Sequence, residues 1–410
     1  MTTLVLHRGS LRANPYEKWL DGLDTDLVLL ASAEQLKLNE EELPTHAPYV
    51  HAEALDDYDH GAHVARRAAE LVERYGVSDI VACQENDIER AALLRRRFGL
   101  PGQQPESAVP YRDKWVMKRT ATAAGIAVAP HALLGSTDDL DAFVAEHGLP
   151  VVVKPRRGAG SIGLRILRTE QEYAHWCEGA EPTDDAGEPA WLAEAYVEGR
   201  MCHVDGTVLD GGITTLWPSM YQYVLADYTD RKGRVDIALD ASDPLAHRLK
   251  AFAERLLDAF GGGTDFAFHI EVFVTPDGDL VLCEAACRAG GAGVRDVQRA
   301  MFGFDPAEYP VRRQLGLPVG PTHRREPDRL ASQLLFTRRP GRLRALPDPK
   351  TLPDGVVKYH CFAGIGDEIG EACHSGDFLA AFVIAGADRA QCETRVRAAE
   401  AWFLKGLRID

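Results

Sequence analysis

The residues best placed to do chemistry begin with a glycine-rich loop. Gly158-Ala-Gly160-Ser161-Ile-Gly163 follows the strand-like run Val151-Val-Val-Lys154 and fits the G-x-G-x-x-G spacing. A dinucleotide-binding turn needs a helix next, so that its N-terminus faces the pyrophosphate. Here Gly163-Leu-Arg-Ile-Leu167 alternates like a second strand, which predicts a hairpin with a flexible tip. No Gly-Lys-Ser/Thr follows, so a Walker loop is excluded. Lys154, with Arg156 and Arg157 behind it, sets cations beside backbone N–H groups that can wrap phosphates. The plain alternative is a solvated hairpin tip with incidental charges.

A second hairpin carries two carboxylates. In His269-Ile-Glu271-Val-Phe-Val-Thr-Pro-Asp-Gly-Asp-Leu-Val-Leu-Cys-Glu284, Asp277-Gly278 is a favoured two-residue turn. That turn sets Glu271 opposite Glu284, with Cβ atoms roughly 5 Å apart. Facing like charges are unfavourable unless a cation lies between them, and Mg²⁺ prefers such oxygens together with substrate phosphates. A four-residue loop keeps this register, whereas a three-residue loop shifts it by one. Two solvated glutamates, or an acid–base pair of the glycosidase kind, fit the spacing too. His269-Ile-Glu271 matches the H-x-E of zinc deaminases, but the P-C-x-x-C partner is missing. By the same register logic, a turn at Glu198-Gly199 pairs Glu194 with His203, with an exposed strand-edge pair as the alternative.

The elements that must position these groups fall into three stretches. Residues 1–108 alternate strands (Leu4–Leu6, Asp26–Leu30, Asp79–Ala82) with helices (His60–Tyr75, Ile88–Phe98), which predicts a small parallel-sheet domain. The turn-rich Gly102–Ser107 segment marks its boundary. Residues 109–320 open with a helix from Asp113 to Ala124 and another capped at Ser136 or Thr137. The strand-rich region from Val151 to about residue 216 includes an acidic, Gly/Pro-rich loop at Cys177–Ala190. Leu245, Leu249, Phe252, Leu256 and Phe260 share one face of a Pro244–Phe260 helix stopped by Gly261. Residues 226–236 form a second charged candidate lid. Residues 321–410 predict short strands and a final helix, Arg389–Phe403.

Composition limits the function classes. The chain has 410 residues, 45% hydrophobic and 26% charged, enough for two or three domains with real cores. A formal charge of −16 opposes nucleic acid and anionic membranes, and no basic patch with interleaved aromatics offsets it. Eight scattered cysteines form no CxxC pair or zinc-ribbon spacing; Cys373-His374 and Cys283/Cys287 make no four-ligand set. Free thiols, no secretory signal pattern, and a longest apolar run (Phe378–Ala387) about half a membrane span long predict a cytoplasmic protein.

Taken in order, Lys114, Lys154, the glycine loop, Glu194, Glu271 and Glu284 resemble the ATP-grasp superfamily of carboxylate–amine ligases, closely over residues ~110–295. The resemblance implies an N-terminal α/β pre-ATP-grasp domain (1–108), a central two-lobed ATP-grasp fold (109–320, lid lobe about 130–195) and a C-terminal antiparallel lobe (321–410). It implies ATP contacts from Lys114, Lys154, Gly158, Gly160, Ser161, Gly163, Glu194, Ala195, Val197 and His203. In that assignment Glu194 and the backbone of Ala195 and Val197 read adenine, and His203 lies by the ribose. Glu271 and Glu284 would hold Mg²⁺ (or Mn²⁺), and Arg288 would stabilise the acyl phosphate. Two departures stand out: Ala286 replaces the usual Asn after the second metal strand, and Met201-Cys202 replaces a second hinge glutamate.

The implied reaction is ADP-forming ligation of a small carboxylate, an amino acid by the overall layout, to an amine. A bicarbonate-activating carboxylase of the biotin carboxylase type and a decayed nucleotide-binding protein are the alternatives. Small-molecule substrates follow from any enzymatic reading, and homodimers are common in the resembling families. Tyr221, Tyr223 and Arg295 are substrate-pocket candidates by position alone.

Overall fold

The computed structural model describes residues 1–60, 62–184, 187–222, 234–320, 325–372 and 376–410. Its N-terminal sheet consists of β1 (Thr2–His7), β2 (Asp26–Ser32), β3 (Tyr49–Leu55) and β4 (Asp79–Ala82), all parallel in the order β3-β2-β1-β4. Leu4 to Leu6 and Leu27 to Leu30 are fully buried, as parallel strands covered on both faces require. Leu4, Leu6, Val28 and Leu30 pack under the Ala62–Tyr75 and Glu85–Phe98 helices. Val5, Leu27 and Leu29 pack against Tyr16 and Trp19, and against Val311 and Leu317 from far along the chain. The strand β3 has no apolar run to announce it, and its residues are mostly half-buried at the sheet edge. The Glu85–Phe98 helix starts three residues before the predicted Ile88, because Glu85 and Asp87 suit the positive end of its first turn.

A second sheet, antiparallel in the order β5-β8-β6-β7, contains β5 (His131–Leu134), β6 (Val151–Pro155), β7 (Arg165–Leu167) and β8 (Trp191–Ala195). The strand–glycine loop–strand hairpin predicted at 151–167 is its β6–β7 edge. Ser136 with Asp139, and Thr169 with Glu172, form capping boxes on the Thr137–His147 and Glu170–Gly179 helices. The second helix takes Cys177–Gly179 out of the predicted loop.

The central sheet contains β9 (Arg200–Leu209), β10 (Gly212–Tyr221), β11 (Arg234–Ala238), β12 (Phe266–Val274) and β13 (Leu280–Ala286). It continues through β14 (Leu330–Thr337), while β15 (Gly341–Ala345) leaves it, β16 (Val356–Cys361) rejoins, β17 (Glu368–Ile369) leaves, and β18 (Phe378–Gly386) rejoins. Its order is β13-β12-β9-β10-β11-β14-β18-β16; β15 and β17 form a small sheet with β19 (Arg408–Ile409). The C-terminal antiparallel region thus shares the central sheet. The Pro244–Phe260 helix, capped by Asp243, buries Leu249, Phe252, Leu256 and Phe260 against one face of that sheet. Among the described residues no helix is long and apolar enough to cross a membrane.

The predicted pairing of Glu194 with His203 does not form. Glu194 lies on β8 and His203 on β9, in different sheets. Both edges of β9 are occupied, by β12 along one side and β10 along the other, so β8 has nowhere to pair. The chain crosses between the sheets at residues 196–199. Gly199 is required there because a Cβ would come 2.6 Å from the Val274 carbonyl oxygen.

Candidate functional site

Between the second and central sheets lies a cavity of about 440 Å³. Lys114, Lys154, Gly158, Ser161, Glu194, Ala195, Val197, Glu271 and Glu284 border it; Gly160, Gly163, His203 and Arg288 do not. Val152, Ile166 and Phe273 give it apolar walls.

Each cation reaches the cavity for a local reason. Lys114 opens the Lys114–Ala123 helix, whose N-cap, Asp113, accepts from the N–H groups of Trp115 and Val116. Its Nζ donates to the Gly158 carbonyl at 2.6 Å and lies 3.1 Å from Glu284 Oε1. The same lysine therefore touches both the glycine loop and the dicarboxylate hairpin. Asp113 also receives Arg156 and Arg157, which anchors the base of that loop. Gly160, Ser161 and Gly163 have positive φ, and Ile162 between them is 61% exposed, so the tip is built as an open loop.

Lys154 points from β6 to Glu194 Oε1 at 2.8 Å, and Lys118 reaches the same oxygen at 3.3 Å. Burial alone would lower both ammonium groups. For Lys154 the Glu194 charge outweighs burial and raises its pKa, whereas for fully buried Lys118 burial wins and lowers it. Burial would raise Glu194, but Lys118 and Lys154 together bring it down to about 2. The carboxylate predicted to meet adenine is thus engaged by two lysines. The Ala195 N–H is engaged as well, donating to the Pro130 carbonyl. Lys118 went unpredicted in this role. Its one sequence signal is its place one turn after Lys114, on the same helix face.

Glu271 and Glu284 are direct cross-strand partners. Near the turn, Thr275 and Asp279 bond across a three-residue loop, which sets Val272 opposite Leu282. A one-residue bulge at Cys283 then restores the pairing of Glu271 with Glu284 and of His269 with Ala286. The Leu282 N–H donates to the Ala127 carbonyl, and its own carbonyl accepts from Lys118 Nζ at 2.8 Å, so the bulged strand is tied on its outer side. Tyr221 donates to Glu271 Oε1 at 3.3 Å, and His269 Nε2 lies 3.5 Å from the same oxygen. Burial would raise the Glu271 pKa, but the hydrogen bond and charge of His269 bring it below the ordinary value.

His203 sits deeper than the ribose position expected of it. Its ring packs 4.6 Å from that of Tyr221, and its Nδ1 bonds Asp205. Asp205 accepts from His269 Nδ1 through its other oxygen, at 2.7 Å. His203, Asp205 and His269 bring three potential ligand atoms within 4.8 Å. Burial would lower both imidazoles, but Asp205 outweighs it and raises His203 to about 10 and His269 to about 9. Both oxygens of Asp205 are therefore met by imidazole ring nitrogens.

Arg288 follows β13 and donates from Nε to Glu85 Oε2 at 2.6 Å. Nothing local in the sequence signals Glu85, which comes from the N-terminal sheet region. Arg295 turns away from the cavity: it grips Asp305 with two bonds and holds Asn14 and Ala13 of the N-terminal region. Tyr223, residues 226–233, Cys373 and His374 lie outside the described residues, and 234–236 belong to β11.

Residues 121–291 match the family model described as the D-ala D-ala ligase C-terminus. An L-arginine-specific L-amino acid ligase of Bacillus subtilis is 28% identical over 221 residues, 52% of each chain. Over residues 121–291 the chain is thus similar to an ATP-grasp ligase domain. The chain is also 26% identical to dapdiamide A synthase of Enterobacter agglomerans over 319 residues, 73% of each protein. The crystal structure of an L-amino acid ligase from Bacillus licheniformis superposes with a TM-score of 0.76 at 14% identity. That superposition covers 100% of this chain and 98% of the other, a likeness of fold. The chain spans about half the length of the Bacillus subtilis relative.

Proposed function

We propose that this chain is an ADP-forming ATP-grasp ligase that activates a small carboxylate, an amino acid in the first instance, and joins it to an amine. The observation that carries the reading is the double contact of Lys114, whose Nζ touches both the glycine loop at Gly158 and Glu284, opposite Glu271. The candidate phosphate-binding and metal-binding groups thereby border one apolar-walled cavity. The donor set fits the implied groups: Glu271 and Glu284 offer facing carboxylate oxygens suited to Mg²⁺ or Mn²⁺, and the cavity offers cations and a glycine loop to ATP.

A carboxylate is a poor electrophile, and condensing it with an amine in water is uphill. Its oxygen attacks the γ-phosphorus of ATP, ADP leaves, and the resulting acyl phosphate is open to the amine, which expels phosphate. Bound Mg²⁺ would neutralise phosphate charge and orient the transferring group. Lys154 holds a fixed, buried charge beside the phosphates, and Lys114 links that charge to the loop that covers them. Gly158, Gly160, Ser161 and Gly163 form the lid that keeps water from the acyl phosphate. Ala195 and Val197 border the cavity, and adenine would pack against the wall they form. Arg288 meets the charge developing on the transferred phosphoryl group, with N–H groups of Gly290 and Gly291 beside the tetrahedral oxyanion.

The test is ADP release from Mg·ATP with pools of amino acids, with and without hydroxylamine as a trap. ADP and a hydroxamate that appear with particular acids support the reading. AMP in place of ADP would overturn it. ADP release that needs bicarbonate and no amine would assign carboxylase chemistry instead. The Ala286→Asn variant addresses the missing Asn: activation from near zero would mark the natural site as decayed.

A further inference from the structure

Glu85 is the first residue of the Glu85–Phe98 helix, immediately beyond the carboxyl end of β4. The order β3-β2-β1-β4 makes the gap between β1 and β4 the switch point of the N-terminal sheet, the place where such sheets present functional groups. From there Glu85 makes two charge-assisted bonds. Its Oε2 accepts from Arg288 Nε at 2.6 Å and its Oε1 from Arg112 Nη1 at 2.5 Å. Arg112 in turn donates from Nη2 to the Arg157 carbonyl, at the base of the glycine loop, at 2.9 Å. Arg288 has its Nη1 on the Ala289 carbonyl at 2.9 Å. With Nε and Nη1 held in this way, the Arg288 Nη2 makes no hydrogen bond among the described residues.

We propose that Glu85 is a positioning residue that sets the Arg288 guanidinium for phosphoryl transfer and couples that setting to the glycine lid through Arg112. The proposal rests on the ligase reading above. Domain docking does not account for the cluster. Val311 and Leu317 already bury against the N-terminal sheet, and Arg295 and Arg312 tie its outer segments. A buried cluster of three charges adds little to stability over apolar packing. The other carboxylates whose charge acts on Arg288 are Glu284 and Glu271, the candidate metal ligands. Burial would raise the Glu85 carboxyl, but Arg288 and Arg112 bring it down to about 2, so the clamp is ionised at any working pH.

The experiment compares full-length wild type with Glu85→Gln, Glu85→Asp, Arg288→Ala and the Glu85→Gln/Arg288→Ala double variant. Expected for Glu85→Gln is a fall in kcat of about 10- to 100-fold with the KM for Mg·ATP within about threefold. ADP released per hydroxamate should rise as the acyl phosphate leaks, and Glu85→Asp should recover much of the loss. Binding of Mg·ADP with aluminium fluoride, which needs neither acid nor amine, should weaken in both single variants. The double variant should then be no weaker than Arg288→Ala. Full additivity in that cycle, a loss confined to the KM for ATP, or a lowered Tm with wild-type kcat would overturn the proposal. If wild type turns over no acid, the ligase reading fails on that result and the aluminium fluoride cycle alone decides the role of Glu85.

Discussion

Glu271 and Glu284 face each other because two one-residue offsets cancel along the β12–β13 hairpin. The three-residue loop at 276–278 slides the strands by one position, and the bulge at Cys283 slides them back. A strand slipped by one residue turns every side chain to the opposite face, so without the bulge Glu284 would leave the cavity. The bulge is held by partners remote in sequence, Ala127 and Lys118, which fill the outer hydrogen-bonding positions of Leu282.

The facing pair makes a direct prediction about metal use. Glu271→Gln and Glu284→Gln should each lower ADP formation by about 100-fold or more and raise the Mg²⁺ concentration for half-maximal rate. A variant with wild-type rate and wild-type Mg²⁺ dependence would remove that glutamate from the metal site.

The Lys118–Glu194–Lys154 cluster makes a prediction about stability. Glu194→Gln leaves two buried ammonium groups around a neutral amide and should cost about 3–5 kcal/mol in denaturant unfolding. Lys118→Met should cost less, because Lys154 alone, at 2.8 Å, still matches the carboxylate. Equal costs would mean that Lys118 acts chiefly through the Leu282 carbonyl.

His7, buried at the end of β1, governs part of the acid response. Burial lowers its pKa to about 4, against 6.5 when unfolded. Between those values the unfolded chain binds a proton that the folded chain does not, so stability falls as pH falls through this window. Wild type should therefore lose up to about 3 kcal/mol relative to His7→Gln between pH 7 and pH 4. Asp87, raised to about 6 by burial, contributes with the opposite sign, but it is present in both proteins and cancels in the difference. Parallel stability–pH curves would refute the assignment.

Gly163 has φ +78°, and a Cβ there would come 2.8 Å from Pro155 Cγ. Gly163→Ala should strain the lid by about 1–2 kcal/mol. Limited proteolysis within residues 156–164 should quicken and ADP release per product should rise, while the global Tm changes little. Unchanged cleavage and coupling would show that the loop tolerates the side chain and closes without it.

Local patterns carried much of this molecule. Periodicity and end signals together set the Pro244–Phe260 helix, since Pro244 and Gly261 bound a continuous apolar face. The β6–β7 hairpin and the facing glutamates were readable because alternation and turn chemistry act over a few residues. The strand β3 was not, because an edge strand need not bury an apolar run. The Glu194–His203 pairing failed because a turn sequence says nothing about which strand edges are already occupied.

By itself, the sequence determined the order of cation, glycine loop and paired carboxylates, the pattern on which the proposed chemistry rests. Tertiary structure decided which charges meet. Glu85 lies 203 residues from Arg288, and Lys118 lies 164 from the Leu282 carbonyl it holds. The physical reason is range. Hydrophobic period and turn preference are set by neighbours along the chain, whereas a buried ion pair forms wherever packing brings opposite charges out of water together.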